Sequence, residues 1–308
     1  MGAMSGQMAM RAPISNPSVS TLANTYEDID TNALELAQSI QYMTTPAPNS
    51  AEILRAFEQH TRAILADSDN LQNYLQKMEN FESSHFEDVF LAPDQHVLLT
   101  TAFRRLDRVQ NLVGHGNFNV ISFDEMLNIG RRHSSVGEFR RGEKDFLEGL
   151  FTESARSYGF FGQKVVTDLT MQITPREVRK IARTGHFLYR GESEALYHKV
   201  KQDLGESIVL TSGIRSIVKQ THLFLAKTIQ SKGNLSRASR SLAPPGHSFH
   251  GIGDFDVGKV GLGSKNFTAE FAKTKEFQRL VDLGYVDMRY PKHNLLGVRY
   301  EPWHIKVV

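Results

Sequence analysis

Apolar residues recur every three or four positions through most of the first half of the chain. One such stripe covers residues 53–64, and similar stripes run through 98–109 and 139–158. This spacing places the apolar side chains on one face of a helix. Residues 1–24 are rich in Ser, Pro, Ala and Met without periodicity. We therefore predict a disordered lead-in over 1–24 and a mostly helical region over 25–185.

A helix start is also predicted close to the end of this region. Thr174 is followed by Pro175, and Glu177 stands three residues after the threonine. A threonine cap, a proline in the first turn and a glutamate at the third position are typical of a helix N-terminus. We predict that a helix begins here.

The pattern changes after Thr184, where short strand-like runs alternate with helical ones. The pattern predicts helices over 192–204, 217–229 and 268–283, the last one capped by Thr268 and ended by Gly284. It predicts strands over 207–211, 255–257 and 296–300, with a Ser/Pro/Gly-rich loop over 234–253. We expect an α+β protein whose C-terminal domain, residues 186–308, contains a small antiparallel sheet.

Composition limits the chemistry available to the 308 residues. Hydrophobic residues make up 40% and charged residues 23%, as in ordinary globular proteins. There is no cysteine, which excludes a thiol nucleophile, a thiolate metal site and disulfides. The net charge is only +2, and no basic block suggests nucleic-acid binding. No apolar run approaches the roughly 20 residues of a membrane span.

Candidate metal ligands lie near the end of the chain. Glu301 precedes His304 by three residues, which can put a carboxylate beside a metal ligand. His250 and Asp256 lie close to Gly251 and Gly253, and glycines let the backbone turn tightly enough for side chains to converge. His and Asp without Cys suit an open catalytic zinc site.

Three segments together resemble a known family. Residues 244–253 read Pro-Pro-Gly-His-Ser-Phe-His-Gly-Ile-Gly, with Asp256 shortly after. Residues 301–304 read Glu-Pro-Trp-His, and residues 211–216 read Thr-Ser-Gly-Ile-Arg-Ser, with Gln220 one helical turn on. In this order they resemble the motifs of VanY-type D-alanyl-D-alanine carboxypeptidases, zinc peptidases related to lysostaphin-type enzymes and hedgehog domains. The resemblance covers about the last third of the chain.

The resemblance implies a role for each matching residue. His250, Asp256 and His304 would bind Zn²⁺, and Glu301 would act as the catalytic base on the metal's water. Arg215 would stabilise the oxyanion or hold a substrate carboxylate. Ser248, Gln220 and Ser212 are the expected substrate-binding residues.

One departure from the family pattern leaves an alternative open. The family has six residues between its first histidine and its aspartate, whereas five separate His250 from Asp256. His247 and Asp254 do have the usual spacing. We favour His250 because the glycine and serine positions around it align, and Asp256 because Val257 and Gly258 follow it. Asp254 stays an alternative ligand.

The expected function is hydrolysis of peptide bonds in peptidoglycan stem peptides, as a D,D-carboxypeptidase. A peptidoglycan endopeptidase serving wall remodelling or assembly of an envelope-spanning machine is one alternative. A non-catalytic zinc-fold binding module is another. The helical region could dock a protein partner. We expect a location in the bacterial periplasm or cell envelope; the opening MGAMSGQ resembles a cloning remnant, so a signal or anchor upstream would have been lost.

Overall fold

The computed structural model describes residues 68–308. The predicted lead-in over 1–24 and the apolar stripe over 53–64 lie outside these residues. The division of the chain at residues 185 and 186 stays a prediction.

The first part of the described chain is helical. Amphipathic stripes form its helices, and the helices between residues 95 and 152 turn their apolar faces to a common core. Ser122 and Glu125 start one of them as a capping box, in which each side chain accepts a hydrogen bond from the other's backbone N–H. The helices are α1 (Ser68–Glu79), α2 (Gln95–Val113), α3 (His115–Phe118), α4 (Phe123–Arg132) and α5 (Arg141–Thr152), followed by a 3-10 turn, Ala155–Tyr158.

Two small antiparallel sheets follow. Strands β1 (Val178–Lys180) and β2 (Phe187–Tyr189) form a hairpin. The second sheet contains β3 (Ile208–Ser212), β4 (Phe255–Lys259) and β5 (His304–Ile305), in the order β3-β4-β5. Its central strand, β4, is therefore bonded on both edges, and the buried side chains of β3 and β4 face a core with Trp303.

Four helices accompany these sheets: α6 (Glu192–Leu204), α7 (Ile217–Gln230), α8 (Leu235–Ser241) and α9 (Lys275–Asp282). Helix α7 packs on α2, and its residues Val218, Phe224 and Leu225 belong to the same hydrophobic core as Leu106 and Phe118. A second core lies around the sheet and contains Leu210, Phe255, Val257, Trp303 and Ile305. The helical region and the sheet region are therefore joined through α7. None of the described helices is long and apolar enough to cross a membrane.

The α+β class, with a small antiparallel sheet after a helical region, is confirmed. The predicted helices over 192–204 and 217–229 match α6 and α7 closely. The predicted strands over 207–211 and 255–257 match β3 and β4. These segments have regular apolar spacing and clear caps, so local sequence is enough to define them.

Four local predictions are wrong. Thr174 does not start a helix: the carboxylate of Glu177 accepts the Thr174 N–H at 2.7 Å, but the capping interaction closes a single turn that leads directly into β1. The helix predicted from Thr268 begins instead at Lys275, because Thr274 provides the cap for Phe277 N–H. The Thr268 hydroxyl donates to the Lys265 carbonyl, which closes a 3-10 turn.

The other two wrong predictions concern the strand over 296–300 and the loop over 234–253. Residues 296–300 form no strand, because Gly297 has φ +84° and the backbone groups on either side bond to separate parts of the fold. The Leu296 carbonyl accepts from Phe161 N–H, and Arg299 N–H donates to the Arg240 carbonyl. Within the loop predicted over 234–253, the structure contains helix α8, capped by Asn234.

Candidate metal and catalytic site

The sheet brings two distant segments of the sequence side by side. In the register of β4 and β5, Asp256 lies opposite His304, and in that of β3 and β4 it lies opposite Ser212. His250 enters from a 3-10 turn, Phe249–Gly251, just before β4. The short strands thus place His250, Asp256 and His304 around one point.

These three side chains form a buried cluster. Each offers a ligand atom within 4.8 Å of the others, and each residue is at most 2% exposed. His250 Nε2 lies 3.1 Å from Asp256 Oδ1, and His304 Nδ1 lies 3.3 Å from the same oxygen. Both imidazoles therefore direct a nitrogen at one carboxylate oxygen. Among the described residues this is the only cluster of this kind.

The hydrogen bonds of the two histidines suit a metal. His250 Nδ1 lies 2.8 Å from the Gly213 carbonyl, which can only accept, so Nδ1 carries the proton and Nε2 keeps a lone pair. His304 Nε2 lies 2.9 Å from Asp254 Oδ2, while its Nδ1 is buried without a hydrogen-bond partner. A buried nitrogen without a partner is costly, and a cation would satisfy it. The donor set of two imidazoles and one carboxylate fits Zn²⁺.

The structure separates the two aspartates. Asp256 lies in the cluster, and Asp254 lies on the opposite side of the His304 ring, where it pairs with Arg289 at 2.6 Å. His247 is outside the cluster, with Nδ1 against the Gly162 carbonyl at 3.1 Å. The geometry thus favours the alignment through His250 and Asp256, although the ligand roles themselves stay predictions.

Arg215 contacts the cluster through Asp256. Its Nη2 donates to Asp256 Oδ2 at 2.7 Å and its Nε donates to the Ser212 hydroxyl at 2.9 Å. Burial by itself would raise the pKa of Asp256, but the neighbouring His250 and Arg215 hold it well below its usual range. Asp256 therefore keeps its negative charge, as a metal ligand requires.

Glu301 lies beside this cluster without joining it. Its Oε2 is 3.9 Å from His304 Nδ1, and burial raises the pKa of its carboxyl above the ordinary value. A carboxylate with a raised pKa next to a metal position is suited to accept and return a proton. For His304 in the metal-free protein, burial would lower the pKa, but the Asp254 and Asp256 carboxylates raise it to about 9, so a metal that binds Nδ1 has to displace a proton there.

Glu301, Arg215, His250 and His304 all line one small cavity of about 20 Å³. Ser248 and Gln220, two of the expected substrate-binding residues, line it as well. The Gln220 amide is fully engaged in the fold: its nitrogen donates to the Arg215 carbonyl and its oxygen accepts from Gly246 N–H. Ser212 contacts Arg215 and does not line the cavity.

Sequence reasoning did not identify several groups that belong to this site. The Tyr290 ring packs edge-on against His304 at 5.4 Å and lines the cavity, and Arg289 lies behind the same histidine, where it pairs with Asp254. Leu242 and Val298 supply apolar walls. Tyr290 and Arg289 stand in an irregular segment outside the motifs, so no local signal identifies them. Trp303 packs in the sheet core.

Comparisons with known proteins place this site in context. Residues 191–308 match the sequence family described as D-alanyl-D-alanine carboxypeptidase, VanY. No curated protein sequence matches the chain. Among solved structures, the LdcB LD-carboxypeptidase is 25% identical, with a TM-score of 0.36, and the match covers 42% of this chain and 62% of that protein.

Two other solved structures are also similar. A D,D-pentapeptidase VanY from a VanB-type vancomycin resistance cassette, in complex with Zn(II), is 22% identical, with a TM-score of 0.34; the match covers 43% of this chain and 78% of that one. The D,D-dipeptidase VanXYg, in complex with a D-Ala-D-Ala phosphinate analogue, is 26% identical, with a TM-score of 0.32 over 40% of this chain and 51% of that one.

The match over residues 191–308 includes all three sequence motifs and every residue of the buried cluster. The predicted resemblance is therefore confirmed: this C-terminal part of the chain is similar to the VanY family of D-alanyl-D-alanine carboxypeptidases.

Proposed function

We propose that the chain is a zinc-dependent D,D-carboxypeptidase that acts on peptidoglycan stem peptides. One observation carries the proposal: His250, Asp256 and His304 form a buried cluster within the VanY-like part, and Glu301 and Arg215 are next to it. A binding module without catalysis has no need of the last two residues. We also propose that the protein works in the bacterial periplasm or cell envelope, where such a substrate occurs.

His250 Nε2, Asp256 Oδ1 and His304 Nδ1 would hold the zinc. When bound, zinc supplies Lewis-acid chemistry, polarising the scissile carbonyl and lowering the pKa of a water towards about 7. Asp256 provides one negative charge, and its Oδ2 also accepts a hydrogen bond from Arg215. The Gly213 carbonyl and the Asp254 carboxylate hold the two imidazole rings from behind.

Glu301 acts as the base and then as the acid. Its carboxylate takes a proton from the attacking water, and the protonated form passes that proton to the leaving amine. Burial favours this exchange, because it brings the pKa of Glu301 up towards the working pH. The carboxylate lies on the cavity wall beside His304, next to the predicted metal position.

Arg215 provides positive charge where negative charge develops or where a substrate carboxylate binds. Ser212 fixes its Nε, and the Gln220 amide fixes its backbone carbonyl, so its position is set before substrate arrives. A preorganised donor of this kind stabilises a transition state more than a mobile one. We propose that the methyl group of a terminal D-alanine packs against the apolar walls that Leu242, Ala243 and Val298 supply.

Mass spectrometry of digested substrate tests the proposal. The zinc-loaded protein is incubated with a stem pentapeptide ending in D-Ala-D-Ala, with and without a chelator, and Glu301→Gln is the inactive control. We expect release of one D-alanine, which stops in chelator and returns with added zinc. Cleavage inside a cross-linked muropeptide with no loss of terminal D-alanine would favour the endopeptidase alternative. No cleavage of either substrate by zinc-loaded protein would contradict the proposal.

A further inference from the structure

Asp254 is an aspartate that the predicted zinc set does not use, yet it is 1% exposed. It lies two residues before Asp256, at the entrance to β4. In an extended segment, residues two apart face the same side. Asp254 and Asp256 accordingly contact the same imidazole from opposite sides: Asp254 Oδ2 is 2.9 Å from His304 Nε2, and Asp256 Oδ1 is 3.3 Å from His304 Nδ1.

Every polar neighbour of the Asp254 carboxylate is a donor. Oδ2 accepts from His304 Nε2 and from Arg289 Nε at 2.6 Å. Oδ1 accepts from Val307 N–H at 2.8 Å and, more weakly, from Val308 N–H and Arg289 Nη2, both at 3.4 Å. The position therefore calls for a group that only accepts, which an ionised carboxylate does and an amide does not.

The two histidines of the cluster differ in how they are held. A backbone carbonyl, that of Gly213, fixes His250, so no side-chain change removes its partner. His304 depends on a side chain, Asp254, whose own position is fixed by Arg289 and the Val307 amide. Arg289 also lies over the Phe249 ring at 3.5 Å, next to His250 in sequence. Its guanidinium thus connects the segment before His250 with the support of His304.

We propose that Asp254 is a positioning residue for the metal site: with Arg289 as its anchor, it holds the His304 ring so that Nδ1, and not Nε2, faces the metal. This rests on the proposed function, because it takes His304 to be a zinc ligand. A carboxylate behind a ligating imidazole fixes the tautomer and orientation of the ring, and its loss lowers metal affinity about 10- to 100-fold.

The sharpest test is Asp254→Asn, which keeps the shape but turns an amide NH₂ towards a donor. Zinc affinity is measured by competition with a chromophoric chelator, and the ligand field by the visible spectrum of Co²⁺-substituted protein. The matched control is Asp287→Asn, a half-exposed aspartate paired with Lys306 in the same region. We expect a 10- to 100-fold lower zinc affinity and an altered Co²⁺ spectrum for Asp254→Asn, and neither change for the control.

A second variant covers the case in which Asp254→Asn does not fold. Arg289→Gln removes the anchor but leaves the Asp254–His304 contact, and we expect a smaller loss of zinc affinity with the same direction of spectral change. Unchanged affinity and spectrum in folded Asp254→Asn, or in Arg289→Gln when the first variant is unfolded, would overturn the proposal. Hydrolysis by wild type is a separate readout: wild-type protein that binds zinc but cleaves nothing contradicts the proposed function and leaves this test intact.

Discussion

The two larger hydrophobic cores of the described residues both have charged side chains beside them, but the hydrogen bonds of those side chains differ. Beside the helical core, two ion pairs have both partners within the fold, and we call them closed pairs. They are Arg105 with Glu143 at 3.0 Å and Arg240 with Asp88 at 2.7 Å. Arg240 also donates to the Ser83 carbonyl. Such pairs have their partners within the fold, so they fix how segments pack but leave nothing with which to bind a ligand.

Beside the sheet core the charged groups converge and stay incompletely satisfied. Two imidazoles point at one oxygen of Asp256, and His304 Nδ1 is buried without a hydrogen-bond partner. Buried charge that converges in this way destabilises a fold unless something binds to it. Burial of charge alone therefore does not identify a metal site, whereas unsatisfied ligand atoms that converge on one point do.

Loss of a cluster histidine should have the largest effect. His304→Ala removes one of three predicted ligands, so we expect zinc to fall to background after dialysis and hydrolysis to become undetectable. Metal analysis checks this, with His247→Ala as the control, because His247 lies outside the cluster and should keep its zinc. The reverse ranking would favour the alignment through His247 and Asp254.

Loss of the base should leave the metal in place. Glu301→Gln keeps the volume but cannot accept a proton, so we expect kcat to fall about 10²- to 10⁴-fold with unchanged zinc content. Burial raises the pKa of Glu301, so we expect the acid limb of the wild-type pH–rate profile to lie at higher pH than an exposed glutamate would give. Steady-state kinetics across pH checks both points, with the exposed Glu270→Gln as the control. Near-normal turnover would remove Glu301 from the mechanism.

Arg215 should affect the transition state more than the metal. At saturating zinc, we expect Arg215→Ala to lower kcat about 100-fold, and Arg215→Lys to recover little, because a point charge does not reproduce the planar fork. Since Arg215 contacts Asp256, zinc affinity should also fall modestly. A change in KM alone would mean that Arg215 holds a substrate carboxylate, which favours carboxypeptidase action. Arg179→Ala, at an exposed pair with Glu194, is the control.

A closed pair should matter for stability alone. Asp88→Ala leaves the Arg240 guanidinium buried without its partner, so we expect the free energy of unfolding to fall by about 3–5 kcal/mol with zinc affinity unchanged. Urea unfolding measures the difference. The exposed pair of Arg141 and Asp145 is the matched control, and Asp145→Ala should cost less than about 0.5 kcal/mol. If Asp88→Ala and Asp145→Ala lowered the free energy of unfolding by similar amounts, the buried pair would not stabilise the fold more than the exposed one.

The smallest expected effect is a pH dependence of stability that arises from the pair of Asp88 and Arg240. Burial would raise the pKa of Asp88, but hydrogen bonds from Arg240, His85 N–H and Asn234 lower it to about 2. The unfolded chain, with a pKa near 3.8, binds the proton first, so this stabilisation is present above about pH 4 and is lost as the pH falls towards 2. Asp88→Asn should show a shallower loss of stability between pH 5 and pH 3 than wild type.

The sequence was sufficient to predict those helices and strands that depend on residues close together in the chain. Regular apolar spacing was enough for α6 and α7, because a helix is defined by contacts three and four residues apart. The three motifs, in their order, were enough to indicate the VanY resemblance and to pick out His250, Asp256 and His304. The helix expected from Thr174 is absent because the capped turn leads directly into β1. The strand expected over 296–300 is absent because its backbone groups bond to the distant residues Phe161 and Arg240.

Only the tertiary structure shows how the surroundings of the two aspartates differ. Asp254 and Asp256 are two positions apart and chemically identical, so their difference lies in what each oxygen meets: Arg289, Val307 and His304 Nε2 for the first, and His250 with Arg215 for the second. Those partners stand between 6 and 53 residues away in the chain. Sequence spacing contains the identities of such groups but not their distances, which are fixed when β4 and β5 pair and bring the segments together.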